Sequence, residues 1–270
     1  FGFGLGCGGS VHLMVMPLAP SFASGLFMEL QRELAADAPL ALTILAENDA
    51  EGGMLITSSR GHLAGSLGDA QLDAAAVSSA LAALDARRSE RHTADERASF
   101  TEVLLPPPKL LVCGAGDDAR PLVDLAASVG FRVYVADHRG ALLSTERFPA
   151  AHTLLKLRPQ HPSSDLPTDR ATYAVVKTHA FENDRAWVAR LLTGDSPYIG
   201  VLGPRARAEK ILTELGAQRE SRVFGPVGLD LGADGTEQVA LSVVAEVLAL
   251  HSRRKPRHLR DREGALHADV

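Results

Sequence analysis

The sequence predicts an α/β protein, with a C-terminal Rossmann-like parallel sheet carrying helices on both faces and a smaller N-terminal α+β domain. Three observations carry this expectation. After Pro106-Pro107-Pro108, short apolar runs alternate with helical patterns, the arrangement of parallel strands covered on both faces. The loop Gly114-Ala115-Gly116-Asp117-Asp118-Ala119 lies between a strand pattern and a helix pattern, as G-x-G-x-x-G/A requires. Asp137 closes the next strand pattern, where dinucleotide folds keep an acid for ribose hydroxyls.

Domains are expected over 1–105 and 106–250, with a basic tail over 251–270. In the first, Val11–Met16 reads as a strand. Ser21 can cap a helix whose Phe22, Leu26, Leu30 and Leu34 repeat at i+4. Ala41–Ala46 and Met54–Thr57 read as strands around the turn Glu51-Gly52-Gly53. A helix follows from about Asp69, with Leu72, Val77, Leu81 and Leu84 towards one side. Asp85–Phe100 is dense in charge and reads as a linker or an exposed helix. Ala64-Gly65-Ser66-Leu67-Gly68 lacks the form of a nucleophile elbow and reads as a turn.

The second domain opens with the strand Leu110–Cys113 and a helix over Asp118–Val129 stopped by Gly130. Phe131–Ala136 and Tyr173–Thr178 are further strands, and Trp187, Val188, Leu191 and Leu192 mark one face of the next helix. Tyr198–Leu202 is a strand, and Pro204 suits the first position of a helix ending at Gly216. A last helix should open at Asp234, with Glu237 completing a capping box. Its broad apolar face is Val239, Val243, Val244, Val247 and Leu248.

Composition narrows the function classes. A net charge of −5 and 5% aromatic residues argue against a nucleic-acid surface. No run is long, charge-free and Gly-poor enough for a membrane helix, which predicts a soluble protein. Two cysteines in unlike contexts, Cys7 and Cys113, fit a reducing cytoplasm better than a disulfide framework. The opening Phe1 suggests a piece of a longer protein, truncated at the start of its first domain. No HExxH or CxxC spacing points to a metal site, and no segment supplies an evident catalytic acid–base pair.

The candidate ligand residues cluster after strand ends. Gly114 and Gly116 would let phosphate approach the backbone N–H groups at a helix start. Asp117 and Asp118 oppose that, because a carboxylate about 5 Å from a phosphate costs roughly 3 kcal/mol. His179 could donate to a ligand, or merely close a surface loop. Arg205, in the first turn of a helix, opposes the macrodipole and invites an anion, or forms a plain salt bridge. Gly228 and Gly232 bracket a loop whose turn geometry alone could require them. The Cys7 thiol, among glycines, could ligate molybdenum or handle sulfur, or be a structural small residue. Cys113 ends a buried strand and reads as packing.

Several stretches together resemble the XdhC/CoxI family of xanthine dehydrogenase accessory factors. They are Gly6-Cys7-Gly8-Gly9 with Pro17-Leu18, the Pro106-Pro107-Pro108 entry to Gly114-Ala115-Gly116, and Asp137-His138-Arg139 with Arg147-Phe148-Pro149. Thr178-His179, the run Tyr198–Arg205 with Gly203, and Gly225–Ala233 with Glu237 continue the match, and Leu259-Arg260 and His267 close it. The resemblance implies a carrier that protects molybdenum cofactor (molybdopterin) and delivers it to an apo molybdenum hydroxylase of the xanthine or carbon-monoxide dehydrogenase type. It is then more a chaperone than an enzyme, with a cysteine desulfurase as a further partner and a homo-oligomer as its expected state. It also implies cofactor contacts at Cys7, Gly114, Gly116, Asp137, Arg139, His179, Gly203, Arg205, Gly228 and Gly232. The alternative from another class is an NAD(P)-dependent oxidoreductase using the Gly114–Ala119 loop.

Overall fold

The computed structural model describes residues 20–45, 53–94, 97–161, 163 and 165–263. The expected strand Val11–Met16, the turn residues Glu51 and Gly52, Cys7 and His267 lie outside them. The chain divides into two compact units, the second running from Pro107 to Glu263.

The first unit builds a five-stranded antiparallel sheet. In chain order it comprises α1 (Pro20–Ala35), β1 (Leu40–Leu45), β2 (Met54–Ser58), β3 (Gly61–Ser66), α2 (Ala70–Ala86), β4 (Glu90–Ala94) and β5 (Arg97–Leu104), with strand order β3-β2-β1-β5-β4. Leu26 of α1 packs with Leu40 and Ile56, while Ala76 of α2 packs with Leu45 and Leu55. Thr43 and Thr101 share a buried cross-strand hydroxyl contact at 3.0 Å.

Several expectations are corrected here. Asp85–Phe100 is neither linker nor exposed helix: Asp85 and Ala86 end α2, and Glu90–Ala94 and 97–100 belong to the β4–β5 pair. Glu90, Arg91 and Arg97 thus sit on strands whose strength is the backbone ladder, and of β5 Thr101 alone is fully buried. The helix at Asp69 exists, and Asp69 caps it by accepting from the N–H groups of Gln71 and Leu72. Its buried face is Ala76, Ala80 and Ala83, however, and Leu81 is exposed, because small side chains let the helix lie close on the sheet. Leu34 of α1 is exposed too, and Ser21 lies inside that helix rather than at its cap. Ala64–Ser66 end a strand, so only Leu67 and Gly68 belong to the connection into α2.

The second unit is a six-stranded parallel sheet. Its strands are β6 (Lys109–Cys113), β7 (Arg132–Asp137), β8 (Thr153–Lys156), β9 (Thr172–Val176), β10 (Tyr198–Val201) and β11 (Val223–Phe224). The order is β11-β10-β9-β6-β7-β8, the doubly wound order in which the strand sequence reverses between β6 and β9. Helices α3 (Arg120–Ser128) and α6 (Thr236–His251) cover one face; α4 (Phe181–Leu192) and α5 (Arg205–Glu214) cover the other. Alternation along each strand serves both layers. Leu110 and Val112 pack with Leu122, Val123, Val243 and Val247, while Leu111 and Cys113 pack with Trp187, Val188, Leu191 and Ile211. This double burial is why the strands read as unbroken apolar runs.

The two edge strands, β8 and β11, are not among those expected from the sequence, and the other differences are local. Residues 117–119 form a 3₁₀ turn before α3, Pro204 is the cap residue just outside α5, and Leu248 of α6 is exposed. The capping box at Asp234 does not form: Gly235 is the cap residue, and no side chain caps α6. Instead Gln238 accepts from the Asp234 N–H at 2.9 Å, and Glu237 takes the Thr236 hydroxyl.

Candidate functional site at the carboxyl edge of the parallel sheet

In a parallel sheet every strand–helix loop leaves from the same edge, so ligand groups from distant segments converge there. Asp137 closes β7, His179 follows β9, and Gly203 follows β10. All three therefore stand at the carboxyl edge.

The glycine turn is built by close approach of backbones. Gly114 has φ +123°, and a Cβ there would lie 2.6 Å from the Lys177 carbonyl oxygen. A Cβ on Gly116 would meet Asp118 Oδ1. Asp137, almost fully buried, ties the turn down: its Oδ2 accepts the Ala115 N–H at 2.8 Å and Arg139 Nη2 at 2.8 Å. Its Oδ1 accepts the Arg139 N–H and Nε–H. Burial raises its pKa, but the Arg139 guanidinium and these backbone donors outweigh that and lower it to about 2. Both acids of the turn are paired as well. Arg147 reaches Asp117 Oδ1 at 3.0 Å and the Ala115 carbonyl at 3.3 Å.

Asp118 faces a lysine and a histidine. Its Oδ2 lies 2.8 Å from Lys177 Nζ and 2.8 Å from His179 Nε2. Burial raises the Asp118 pKa, yet Lys177 and His179 together bring it below the ordinary carboxylate range. The carboxylate only accepts, so His179 Nε2 carries the proton. His179 itself has φ +61° and a 63% exposed side chain. Asp184, fully buried in the first turn of α4, fixes its loop. Asp184 Oδ1 accepts the Thr178 N–H and hydroxyl, and Oδ2 accepts Arg207 Nε and Nη2 at 3.0 and 2.6 Å.

Lys177 is the least satisfied group of the site. Its side chain is 4% exposed, and its Nζ meets one carboxylate, Asp118 Oδ2 at 2.8 Å. That contact leaves two of the three ammonium donors without a partner among the described residues. Burial pulls the Lys177 pKa below its ordinary value against the opposing pull of Asp118. Lys177 and Asp118 line a cavity of about 240 Å³ at the β6/β9 reversal. Leu122, Val175, Leu202, Val239 and Val243 give it apolar walls, and Gly235 and Thr236 bring the start of α6 to its rim.

The structure thus gathers Gly114, Gly116, Asp137, Arg139, His179 and Gly203 at one edge. Arg205 is exposed in the first turn of α5, with no hydrogen bond or ion pair to any described residue. Gly228 has φ +100° and would collide with Ser242 if it carried a Cβ; its N–H donates to Glu246, which also takes the Tyr198 hydroxyl. Gly232, at φ +66°, has open space around it. Cys7 lies outside the described residues. Cys113 is buried, and desolvation, with Asp184 adding to it, pushes its thiol well up. Sequence reasoning passed over Lys177 and Asp184. A lysine closing the apolar run Thr172–Val176 was the available sign of the first; nothing distinguished the second. Among the described residues no group of His, Cys, Asp and Glu could hold a metal, and no helix is long and apolar enough to cross a membrane.

The model of the XdhC Rossmann domain family matches residues 110–247, just over half of the chain. A protein of Bacillus subtilis (strain 168) described as a probable xanthine dehydrogenase subunit is 37% identical over 154 residues, 57% of this chain and 46% of that protein. YqeB of Escherichia coli (strain K12), itself uncharacterised, is 27% identical over 215 residues, 72% of this chain and 39% of its own length. The chain therefore spans less than half the length of these curated relatives. A crystal structure described as a xanthine dehydrogenase (BH1974) from Bacillus halodurans superimposes with a TM-score of 0.55 at 19% identity, covering 84% of this chain and 94% of that one. That likeness concerns the fold.

Proposed function

The chain belongs to the family of the XdhC Rossmann domain, and on that premise we propose that it binds molybdenum cofactor and delivers it to an apo molybdenum hydroxylase of the xanthine dehydrogenase type. One observation carries the reading: the cavity at the strand reversal joins apolar walls to a buried ammonium with one carboxylate partner for its three donors. Apolar walls suit a flat ring system, and an ammonium suits the phosphate such a cofactor carries. At about 240 Å³ the cavity takes one end of the cofactor rather than the whole, since ligand pockets run from roughly 300 Å³ upwards. When bound, the group supplies the redox-active centre that the client enzyme uses.

This chain's residues hold and shield it. Lys177 binds the anionic end, and Leu122, Val175 and Val239 exclude water. His179, Arg139 and Arg205 meet the exposed part. Gly114, Gly116, Gly203, Gly228 and Gly232 shape the loops, and Asp137 fixes the first of them. The alternative, an NAD(P)-dependent oxidoreductase, is less favoured, because the Asp137 carboxylate and the Ala115 N–H are already bonded to each other. The client hydroxylase, a cysteine desulfurase and a second copy of the chain are the proposed partners, in the cytoplasm.

The test uses the full-length protein. It should bind molybdopterin stoichiometrically and raise the molybdenum content and activity of an apo-hydroxylase. His179→Ala and Arg205→Ala should weaken transfer while the fold stays intact, since both side chains are exposed. A client that matures equally well without the protein overturns the proposal.

A further inference from the structure

We propose that the cavity at the strand reversal is a subsite for a phosphate monoester, held by Lys177 Nζ and the first turn of α6, and that Asp118 is the internal counter-ion which the phosphate displaces. The proposal rests on the reading of this cavity as the ligand site, but not on what the rest of the ligand is.

A buried ammonium is strongly unfavourable unless it is both paired and hydrogen-bonded. Lys177 has one partner for three donors: Asp118 Oδ2, 2.8 Å from Nζ. One carboxylate oxygen shared with His179 Nε2 cannot meet them all. A phosphate monoester carries up to two charges and three terminal oxygens, so it can meet them and a second group at once.

The second group is the N-terminus of α6. This helix is 16 residues long, and no side chain caps it. Its first N–H groups have no acceptor within the helix and carry the positive end of its dipole. Gly235 and Thr236, where those groups begin, line the same cavity as Lys177. Glu237 in that turn is exposed, holds the Thr236 hydroxyl and is no part of the lining.

Displacement of Asp118 has a destination. His179 Nε2 donates to the same Oδ2 at 2.8 Å, so the carboxylate can leave Lys177 and keep a partner. The free site is thus closed by its own charge, and the phosphate exchanges one counter-ion for a better one.

The experiment measures binding of inorganic phosphate to the 270-residue chain by titration calorimetry. The unaltered protein should bind it weakly, and Asp118→Asn should tighten binding roughly tenfold or more by removing the competing charge. Lys177→Met should abolish binding. The double variant, Lys177→Met with Asp118→Asn, replaces the pair by neutral side chains of similar size and should bind none, with an unchanged circular dichroism spectrum. It keeps the test decisive if the lone Asp118→Asn protein, with its ammonium unpaired, does not fold. AMP should compete with phosphate, and NAD, which has no terminal phosphate, should not. Phosphate bound equally by the unaltered and Lys177→Met proteins overturns the proposal, as does a folded Asp118→Asn protein that binds no tighter. If full-length protein binds phosphate in this pattern but not molybdopterin, the subsite stands and the cofactor reading fails. Molybdopterin binding indifferent to Lys177→Met has the reverse meaning.

Discussion

The two ends of the parallel sheet pose the same problem and solve it differently. At the amino end, Lys109, Tyr134, Asp169, Thr193 and Asp195 are among the residues lining a concavity of about 520 Å³, more than twice the volume at the carboxyl end. Its lysine is conventionally satisfied, however: Lys109 Nζ donates to Asp169 Oδ2 at 2.8 Å, and the Asp169 side chain is 51% exposed. At the carboxyl end Lys177 is shut from water with one carboxylate partner, and Asp137 and Asp184 are buried among donors from several segments. Desolvated charge, not volume, distinguishes the candidate site. The cause lies in the topology, because only the carboxyl end collects strand–helix loops and helix N-termini.

The comparison is most exposed at Asp184. Asp184→Ala removes the acceptor of four hydrogen bonds and leaves Arg207 without its carboxylate. The expected cost is about 3–5 kcal/mol, the usual penalty for breaking a buried pair from one side. Urea unfolding measures it. Because Thr178 loses its anchor, the His179 loop should also exchange its amide hydrogens faster. A loss below about 1 kcal/mol would mean that the buried charges of this edge are not structurally committed.

Asp137 sharpens the same point through pH. Its folded pKa is lowered to about 2, so the stabilisation is fully present above the unfolded value near 4 and is lost as pH falls from about 4 to about 2. That interval corresponds to about 2 kcal/mol. Asp137→Asn should be less stable at neutral pH, and its loss of stability between pH 6 and pH 2 should be smaller than the unaltered protein's by about 2 kcal/mol. Equal acid sensitivity in the two proteins would show that the carboxylate gains nothing from Arg139 and the Ala115 N–H.

Legibility in the sequence obeys the same physics. The central strands β6, β7, β9 and β10 are buried on both faces and were legible as apolar runs. The hairpin β4–β5 was not, because Arg91, Arg97 and Glu102 belong to strands held by backbone pairing rather than by core side chains. In α2 the leucines drew attention while the alanines made the contact. At the site, the glycine turn and Asp137 announce themselves through fixed spacing. Asp184 does not, since an acid in the first turn of a helix is favoured by the dipole wherever it points. Lys177 acquires meaning only when β9 is placed beside β6, which is a long-range fact.

The smallest expected effect belongs to the amino end. Asp169 accepts from the Ala171 N–H and the Thr172 hydroxyl through Oδ1, and from Lys109 through Oδ2. Burial raises its pKa, and Lys109 with the two local donors more than offsets this. Asp169→Asn keeps a carbonyl oxygen for the two local donors and removes only the charge facing Lys109. With the aspartate half in water, the loss should stay below about 1 kcal/mol and shrink further with added salt. Phosphate and molybdopterin binding should not change, because the substitution lies at the edge remote from Lys177. A variant that kept its stability but lost cofactor binding would move the ligand site to the amino end and reverse the comparison. Equal binding with a small, salt-dependent loss of stability would leave the larger concavity as ordinary surface relief, bounded by an ion pair that water already satisfies.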